Sequence, residues 1–277
     1  MDLLIGTFVL RPYVFGFVAA FVLAAGRDLG WYRMLGFAVW VAPLAWVSEF
    51  TSTRIGIPFG LYQYTETTRE QELFVANVPM MDSLSFTFLA YAAFCLARAT
   101  LAGRQAPPAV IALVSGLLMM MLDVVIDPVA VQGDKWFLGP IFAYAVPGAY
   151  FGVPLNNFAG WIVLGTAGVG GYLFWSARLG DGPRHGSPSA LGRGSDIRGD
   201  LVHTGWGAGG VDRYGRRLRP GIALYYAVLA FNLVVTGWIE EWLLLLIGAS
   251  VHMLTAAALW NLGLRPATRL GLEKQGA

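Results

Sequence analysis

The chain contains repeated apolar stretches, each close in length to the thickness of a lipid bilayer. A helix needs about 20 predominantly apolar residues to cross a hydrocarbon core of about 30 Å. Hydrophobic residues make up 56% of the 277 residues and charged residues only 13%, against about 25% charged residues in an ordinary soluble domain. The stretches therefore cannot all be buried in one water-soluble core, and we predict an all-α, polytopic integral membrane helical bundle. Seven spans are expected, at 12–25, 31–50, 83–101, 109–126, 158–177, 220–238 and 242–264.

The first of these spans is short. It lacks the small-residue cleavage site of a removed signal peptide, so we interpret it as a retained span that residues 3–10 extend. The chain is predicted to form a single membrane domain over 1–277, with a flexible Gly/Arg-rich cytoplasmic loop at about 178–219.

The basic residues predict the orientation of the bundle. With the N-terminus outside, 15 of the 19 Lys and Arg residues fall in the inner loops and the C-terminal tail, and only Arg11, Arg54, Arg69 and Lys135 remain outside. Cytoplasmic loops of membrane proteins carry such an excess. We expect an external N-terminus and a cytoplasmic C-terminus, in the cell membrane. The net charge of +2 follows from this distribution and does not indicate a nucleic-acid partner.

Acidic residues lie near the predicted outer ends of the spans. Asp123 and Asp127 are four positions apart and share a helix face. Pro128 favours the end of the span at Asp127 and leaves Asp123 one turn deeper. Ionisable residues in or near spans usually face the bundle interior or a wet cavity, although a hydrogen-bonded core acid or a helix-capping acid is the alternative. The candidate catalytic residues are Asp123, Asp127, Glu49 and Asp82.

Two outer loops are rich in aromatic residues, Gly and Pro. The first contains EFTSTRIGIPFGLYQY, and the second contains DPVAVQGDKWF followed by GAYFGVPLNNFAGW. Irregular backbone at membrane depth is tolerated when it is buried in protein or lines a cavity. We therefore expect these loops to wall a substrate cavity rather than to form only an aromatic belt. The candidate substrate-binding residues are Phe59, Tyr62, Tyr64, Trp136, Tyr150, Phe151, Asn156, Asn157, Phe158 and Trp161.

The stretches GIPFGLYQY, DPVAVQGDKW and YFGVPLNNFAGW, with Glu49 before the first, resemble the membrane-embedded carotenoid-biosynthesis family whose characterised members are carotenoid 1,2-hydratases. The resemblance extends from about residue 40 to residue 175. It implies addition of water across the terminal C-1,2 double bond of an acyclic carotenoid, such as lycopene or a bacterioruberin precursor, with no cofactor. The expected partners are the lipid-soluble carotenoid, membrane lipid and other enzymes of the carotenoid pathway.

Hydration of such an alkene requires a proton on the less substituted carbon, a tertiary carbocation and capture by water. We expect the deeper Asp123 to remain neutral and donate the proton, while Asp127 stays ionised and helps to deprotonate the water. Aromatic faces stabilise a cation by roughly 0.5–2 kcal/mol each. The residues expected to supply these faces are Tyr62, Tyr64 and Trp161, with Asn156 and Asn157 positioning water.

Two other classes of protein remain open. A carotenoid cyclase would use the same protonation but quench the cation with a neighbouring double bond. A carrier or transporter would use the acids as a relay across the bilayer, although the acids cluster on one side. No metal site is expected, because His185, His203 and His252 lack metal-ligand spacing. The string GWGAGG at 205–210 lacks the strand and helix that flank a nucleotide-binding loop.

Overall fold

The computed structural model describes residues 2–102, 104, 106–179 and 208–264. These residues form the helices α1 (Leu3–Leu10), α2 (Pro12–Asp28), α3 (Trp31–Ile55), α4 (Met80–Thr100), α5 (Pro108–Ala130), α6 (Leu155–Leu179), α7 (Ala208–Trp238) and α8 (Trp242–Leu264). The loops contain the short strands β1 (Tyr62–Tyr64), β2 (Phe74–Val75), β3 (Val78–Pro79) and β4 (Phe142–Tyr144), with one turn of 3-10 helix at Gly133–Lys135.

Six helices, α3 to α8, are long and apolar enough to cross a membrane. The chain is therefore a multi-pass helical membrane protein. The last span, Trp242–Leu264, has the predicted boundaries. Helix α7 begins at Ala208, well before the predicted start at 220, so part of the predicted flexible loop is helical. Residues 180–207 of that loop lie outside the described residues.

The N-terminal span is not straight. Helices α1 and α2 are bent by 86° relative to each other at Arg11. Pro12 is the first residue of α2, where its missing N–H is tolerated but where it cannot continue the hydrogen bonds of a preceding helix. Residues 3–10 therefore do not extend α2 along its axis, contrary to the interpretation of the sequence. Within the described residues, the count of candidate spans rises from six to seven if the bent pair is taken as one span.

Pro128 led us to predict that helix α5 ends at Asp127, but the helix does not end there. It continues to Ala130 with Pro128 inside the helix. A proline in this position leaves the carbonyl four residues earlier, that of Val124, without its usual N–H donor. The phenol of Tyr150 donates to this oxygen at 3.2 Å. The side chain of Tyr150 thus supplies the hydrogen bond that Val124 lacks. Asp127 remains in the helix, one turn from Asp123.

Helix α4 is the centre of the bundle, and every residue from Phe86 to Arg98 is buried. Around it, α5 and α6 come into close backbone contact at glycines. A Cβ atom on Gly116 would lie 2.5 Å from the carbonyl oxygen of Ile162, and one on Gly165 would lie 2.8 Å from the Cα of Gly116. Small residues let membrane helices come this close. The contact fixes the acids of α5 relative to the first turns of α6.

Buried ion pairs anchor both ends of α2. Asp28, its last residue, accepts a hydrogen bond from the guanidinium of Arg98 on α4. At the other end, Arg11 pairs with Glu72 in the loop that precedes α4 and with Asp82 on α4. Because a buried charge is tolerated only when it is paired, these contacts set the position of α2 against α4.

The two long loops at one end of the bundle fold over it and pair with each other. Strands β1 and β4 are antiparallel, with Tyr62 opposite Tyr144 and Tyr64 opposite Phe142. Since alternate residues of a strand share a face, these four rings lie together, with neighbouring centroids 5.5–6.4 Å apart. We call this pair of strands the aromatic ribbon. The sequence analysis predicted irregular loops here and no strands, because each strand has only three residues and its partner lies in another loop.

Candidate active site

The aromatic ribbon covers one side of a cavity of about 140 Å³. Glu49 from α3, Asp82 from α4 and Asp127 from α5 line this cavity. Three of the predicted acids therefore meet at one end of the bundle. The remaining wall is mostly apolar, and its aromatic members are Tyr13, Phe17, Phe59, Tyr62, Tyr64, Phe86, Phe88, Trp136, Phe142, Tyr144, Trp161 and Phe231.

Asp123 and Asp127 are joined by one amide group. The Nδ2 atom of Asn157 donates to Oδ2 of Asp123 at 2.7 Å and to Oδ2 of Asp127 at 2.9 Å. The phenol of Tyr144 lies 3.4 Å from the same oxygen of Asp127. Asp123 is 0% exposed and does not line the cavity, whereas Asp127 does. Asp127 is thus the acid of the pair that can touch a bound molecule, and Asp123 lies behind it.

Glu49 forms a second acidic centre in the same cavity. It is buried, and the phenol of Tyr64 donates to its Oε1 atom at 2.9 Å. The hydroxyl of Ser83 donates to its Oε2 atom. The aromatic ribbon therefore contacts both centres, since Tyr64 binds Glu49 and Tyr144 approaches Asp127.

The phenols of the aromatic ribbon are hydrogen-bond donors at neutral pH. Burial raises the pKa of Tyr62 and of Tyr64 well above the usual value, and the nearby Glu49 carboxyl group raises both further. Burial likewise raises the pKa of Tyr144, and the adjacent Asp127 adds to this effect. A phenolate at any of these positions would be buried beside a carboxylate. The three phenols consequently stay protonated and do not act as bases, and those of Tyr64 and Tyr144 donate to the acids.

Asp82 has different surroundings from the other acids. Its Oδ1 atom accepts a 2.7 Å bond from Nη1 of Arg11. The Nη2 and Nε atoms of Arg11 bind the two oxygens of Glu72 at 2.8 and 3.0 Å. Both Arg11 and Glu72 are fully buried, so the guanidinium depends on its two carboxylates. The carboxylate of Asp82 therefore serves as a counter-ion of Arg11. Glu72 was missed by the sequence analysis, because nothing in its loop indicates burial.

Six of the ten predicted substrate-binding residues line the cavity and four do not. Tyr150 packs against Phe151 and Phe158, with ring centroids 5.0 and 5.5 Å away, and these rings lie outside the lining. Asn156 is exposed beside the turn at Gly60. Consecutive helical residues point about 100° apart, so Asn157 faces inward while its neighbour faces outward. The six residues in the lining are Phe59, Tyr62, Tyr64, Trp136, Asn157 and Trp161.

Several lining residues were not predicted. Phe142 and Tyr144 did carry a signal, because FAY repeats the aromatic-x-aromatic pattern of YQY, which is typical of a strand with one buried face. The lining residues of α2 and α7 carried none, since they are ordinary members of apolar helices. These are Tyr13, Phe17, Val228, Phe231 and Asn232.

A polar pocket of about 420 Å³ adjoins the cavity at Tyr64. We call it the polar vestibule. Its other lining residues are Thr53, Arg54, Gln63, Glu66 and Asn77, all of which can hydrogen-bond to water. Tyr64 lines both spaces. Because its phenol is bonded to Glu49, one tyrosine links the polar vestibule to the carboxyl group of Glu49.

The fold and this site define a class of protein, a multi-pass helical membrane protein with an acid-bearing, aromatic cavity suited to an apolar molecule. A family model described as carotenoid biosynthesis protein matches residues 7–185. That range is more than half of the chain, and the chain belongs to this family. The matched range contains the four predicted acids and both strands of the aromatic ribbon.

One curated relative is the bisanhydrobacterioruberin hydratase of Haloarcula japonica. This chain is similar to it, with 29% identity over 167 residues, which are 60% of this chain and 51% of the relative. The chain thus spans about half the length of the curated relative that it matches. No solved structure gives a significant match.

Proposed function

We propose that the chain is a carotenoid hydratase that adds water across the terminal C-1,2 double bond of an acyclic carotenoid. The observation that carries this proposal is the cavity, in which two acidic centres and an aromatic wall adjoin a polar vestibule. Membership of a carotenoid-biosynthesis family and the similarity to a hydratase support the substrate class and the reaction.

The size of the cavity suits one end of such a substrate. An engineered apolar cavity of about 150 Å³ binds benzene, and the cavity here is about 140 Å³. A terminal prenyl unit, which contains the reacting double bond, has about as many carbon atoms as the benzene that such a cavity binds, whereas the whole carotenoid is several times larger. The terminal double bond is therefore the reacting group that the acids can reach.

Asp127 is the proposed proton donor. Two carboxyl groups held by one amide in a buried site do not readily ionise together, so the pair with Asp123 retains a proton. Asp127 transfers it to C-2, where a C–H bond forms, and the electrons of the double bond leave a tertiary carbocation at C-1. This assignment differs from the expectation that Asp123 donates, because Asp123 does not line the cavity. Asp123 acts as a positioning residue behind Asp127.

Water then captures the carbocation, and Glu49 accepts the proton that the water loses. We assign this role to Glu49 because Tyr64, which bonds to it, also borders the polar vestibule. The rings of the cavity stabilise the cation by roughly 0.5–2 kcal/mol each. The buried indole N–H of Trp136 has no acceptor among the described residues, and it offers a donor to the new hydroxyl group. Return of the proton from Glu49 to Asp127 through water restores the enzyme.

Expression of the chain in cells that accumulate lycopene tests the proposal. The pigment should become heavier by one water, and growth in isotopically labelled water should place the label in its new hydroxyl group. An isomer of unchanged mass would instead indicate a cyclase, and unchanged pigment would indicate a carrier. Either of these two results would reject the hydratase proposal.

A further inference from the structure

A groove of about 570 Å³ runs between α2 and α7 and meets the cavity. Tyr13 and Phe17 line both the groove and the cavity. The two rings pack against Phe231, with centroids 5.0 and 5.8 Å away. The active site therefore continues into a second space on the side away from the polar vestibule.

The groove is apolar along most of its length. Small residues one turn apart line it on both helices, with Gly16, Ala20 and Ala24 on α2 and Ala223 and Ala227 on α7. A Cβ atom on Gly16 would meet no atom within 4 Å, so the space there is open. Among the described residues that line the groove, only Arg27 is charged, and it lies at the far end.

The length of the groove complements the small size of the cavity. Arg27 lies fourteen positions after Tyr13 on α2, which corresponds to about 21 Å along the helix axis at 1.5 Å per residue. The cavity holds an end group, so the rest of a carotenoid must leave it. The polar vestibule is lined by charged and amide side chains and would not hold a hydrocarbon, because polar groups lose their hydration without gaining partners.

We propose that the groove between α2 and α7 binds the polyene chain of the substrate while its end group occupies the cavity. This inference rests on the proposed function for the identity of the ligand. An acyclic carotenoid is about as long as the hydrocarbon core is thick, roughly 30 Å, so a chain in the groove would span the bundle with its second end near Arg27. Each binding event then presents one end group to the acids.

The substitution Gly16→Leu tests the groove directly. The Cβ atom of the added side chain enters open space at Gly16, and the rest of the side chain obstructs the polyene. Gly36→Leu on α3 is the matched control, because Gly36 is also exposed in a helix, a Cβ atom there also meets nothing within 4 Å, and Gly36 lies outside the groove. Ala20→Leu, one turn further along the groove, provides a second variant.

Binding is measured with purified protein in lipid nanodiscs and lycopene as the probe, from the circular dichroism that a protein induces in the visible band of an achiral polyene. Wild type and Gly36→Leu should bind lycopene alike, and Gly16→Leu and Ala20→Leu should bind it about tenfold more weakly or worse. Equal binding by all four proteins, or no binding by the wild type, would overturn the groove proposal.

Turnover separates this proposal from the proposed function. A short isoprenoid that carries the same end group should be hydrated equally by wild type and Gly16→Leu, because it does not reach the groove. If lycopene binding depends on the groove but no water adduct forms, the groove stands and the hydratase proposal fails. If lycopene is hydrated with the same KM by wild type and Gly16→Leu, the hydratase proposal stands and the groove fails.

Discussion

At the scale of single residues, the chemistry depends on which carboxyl group faces the cavity. Asp127 lines it, Asp123 lies behind, and Asn157 holds both. We expect Asp127→Asn to lower the rate of hydration by about 10²–10⁴-fold, because the amide keeps the size of the side chain and removes its acidic proton. The measurement is turnover of lycopene by protein reconstituted in lipid, normalised to the amount inserted.

Asp134→Asn is the control for this prediction. Asp134 lies in the same loop end of the bundle but is exposed and outside the cavity lining, so its replacement should leave turnover unchanged. If Asp127→Asn retains wild-type turnover, Asp127 is not the donor, and Glu49 becomes the next residue to replace.

A second residue-scale prediction concerns Tyr150, which lies outside the cavity. Its phenol supplies the hydrogen bond that Pro128 denies to the Val124 carbonyl. Tyr150→Phe should therefore reduce the free energy of unfolding by about 1 kcal/mol, measured by denaturant titration in detergent, with little change in turnover per folded molecule.

The double variant Tyr150→Phe with Pro128→Ala tests this cause. Alanine restores the backbone N–H that can bond to Val124, so the cost of removing the phenol should become smaller in the Pro128→Ala background. A cost that is the same in both backgrounds would show that Tyr150 stabilises the fold through its packing with Phe151 and Phe158 instead.

At the scale of elements, the buried ion cluster holds the loop before α4 against the junction of α1 and α2. Glu72→Gln removes one of the two carboxylates that balance the buried Arg11. We expect the free energy of unfolding to fall by about 1.5–3 kcal/mol, because the substitution weakens the two charge-assisted hydrogen bonds from Arg11 to position 72, although Asp82 remains as the counter-ion of Arg11. The measurement is the same denaturant titration.

Glu66→Gln in the same loop is the matched comparison. Glu66 pairs with Arg69, but both side chains are about half exposed, and exposed pairs contribute about 0–1 kcal/mol. Similar losses from the two substitutions would indicate that burial of Arg11 does not make its pairing more important.

At the scale of the whole molecule, the structure places the cavity, the polar vestibule and the loops at one end of the bundle, and the charge distribution predicts which end this is. Because the sequence predicts 15 of the 19 basic residues in the loops and tail of the other side, we propose that the cavity end faces out of the cell membrane. A reporter fused after Ala277 or within 180–219 should behave as cytoplasmic, and one near Gln71 as external. The reverse labelling would mean that water reaches the site from the cytoplasm.

The sequence by itself determined the membrane class, the approximate positions of the spans from α3 to α8 and three acids of the cavity. These properties are local, because hydropathy over about 20 residues decides insertion and a carboxylate near a span must face a polar or enclosed space. Glu49, Asp82 and Asp127 could therefore be selected without knowing their neighbours. The family resemblance rested on short stretches that are each contiguous in the chain.

Only the tertiary structure decided how these parts combine. The aromatic ribbon pairs two loops, the order of Asp127 and Asp123 depends on how α6 packs against α5 at Gly116, and the groove exists because α2 and α7 bring small residues face to face. In each case the relevant contact joins segments that are distant in the chain. The stability of such a contact depends on the residues of both segments together. The sequence of one segment therefore does not predict the contact.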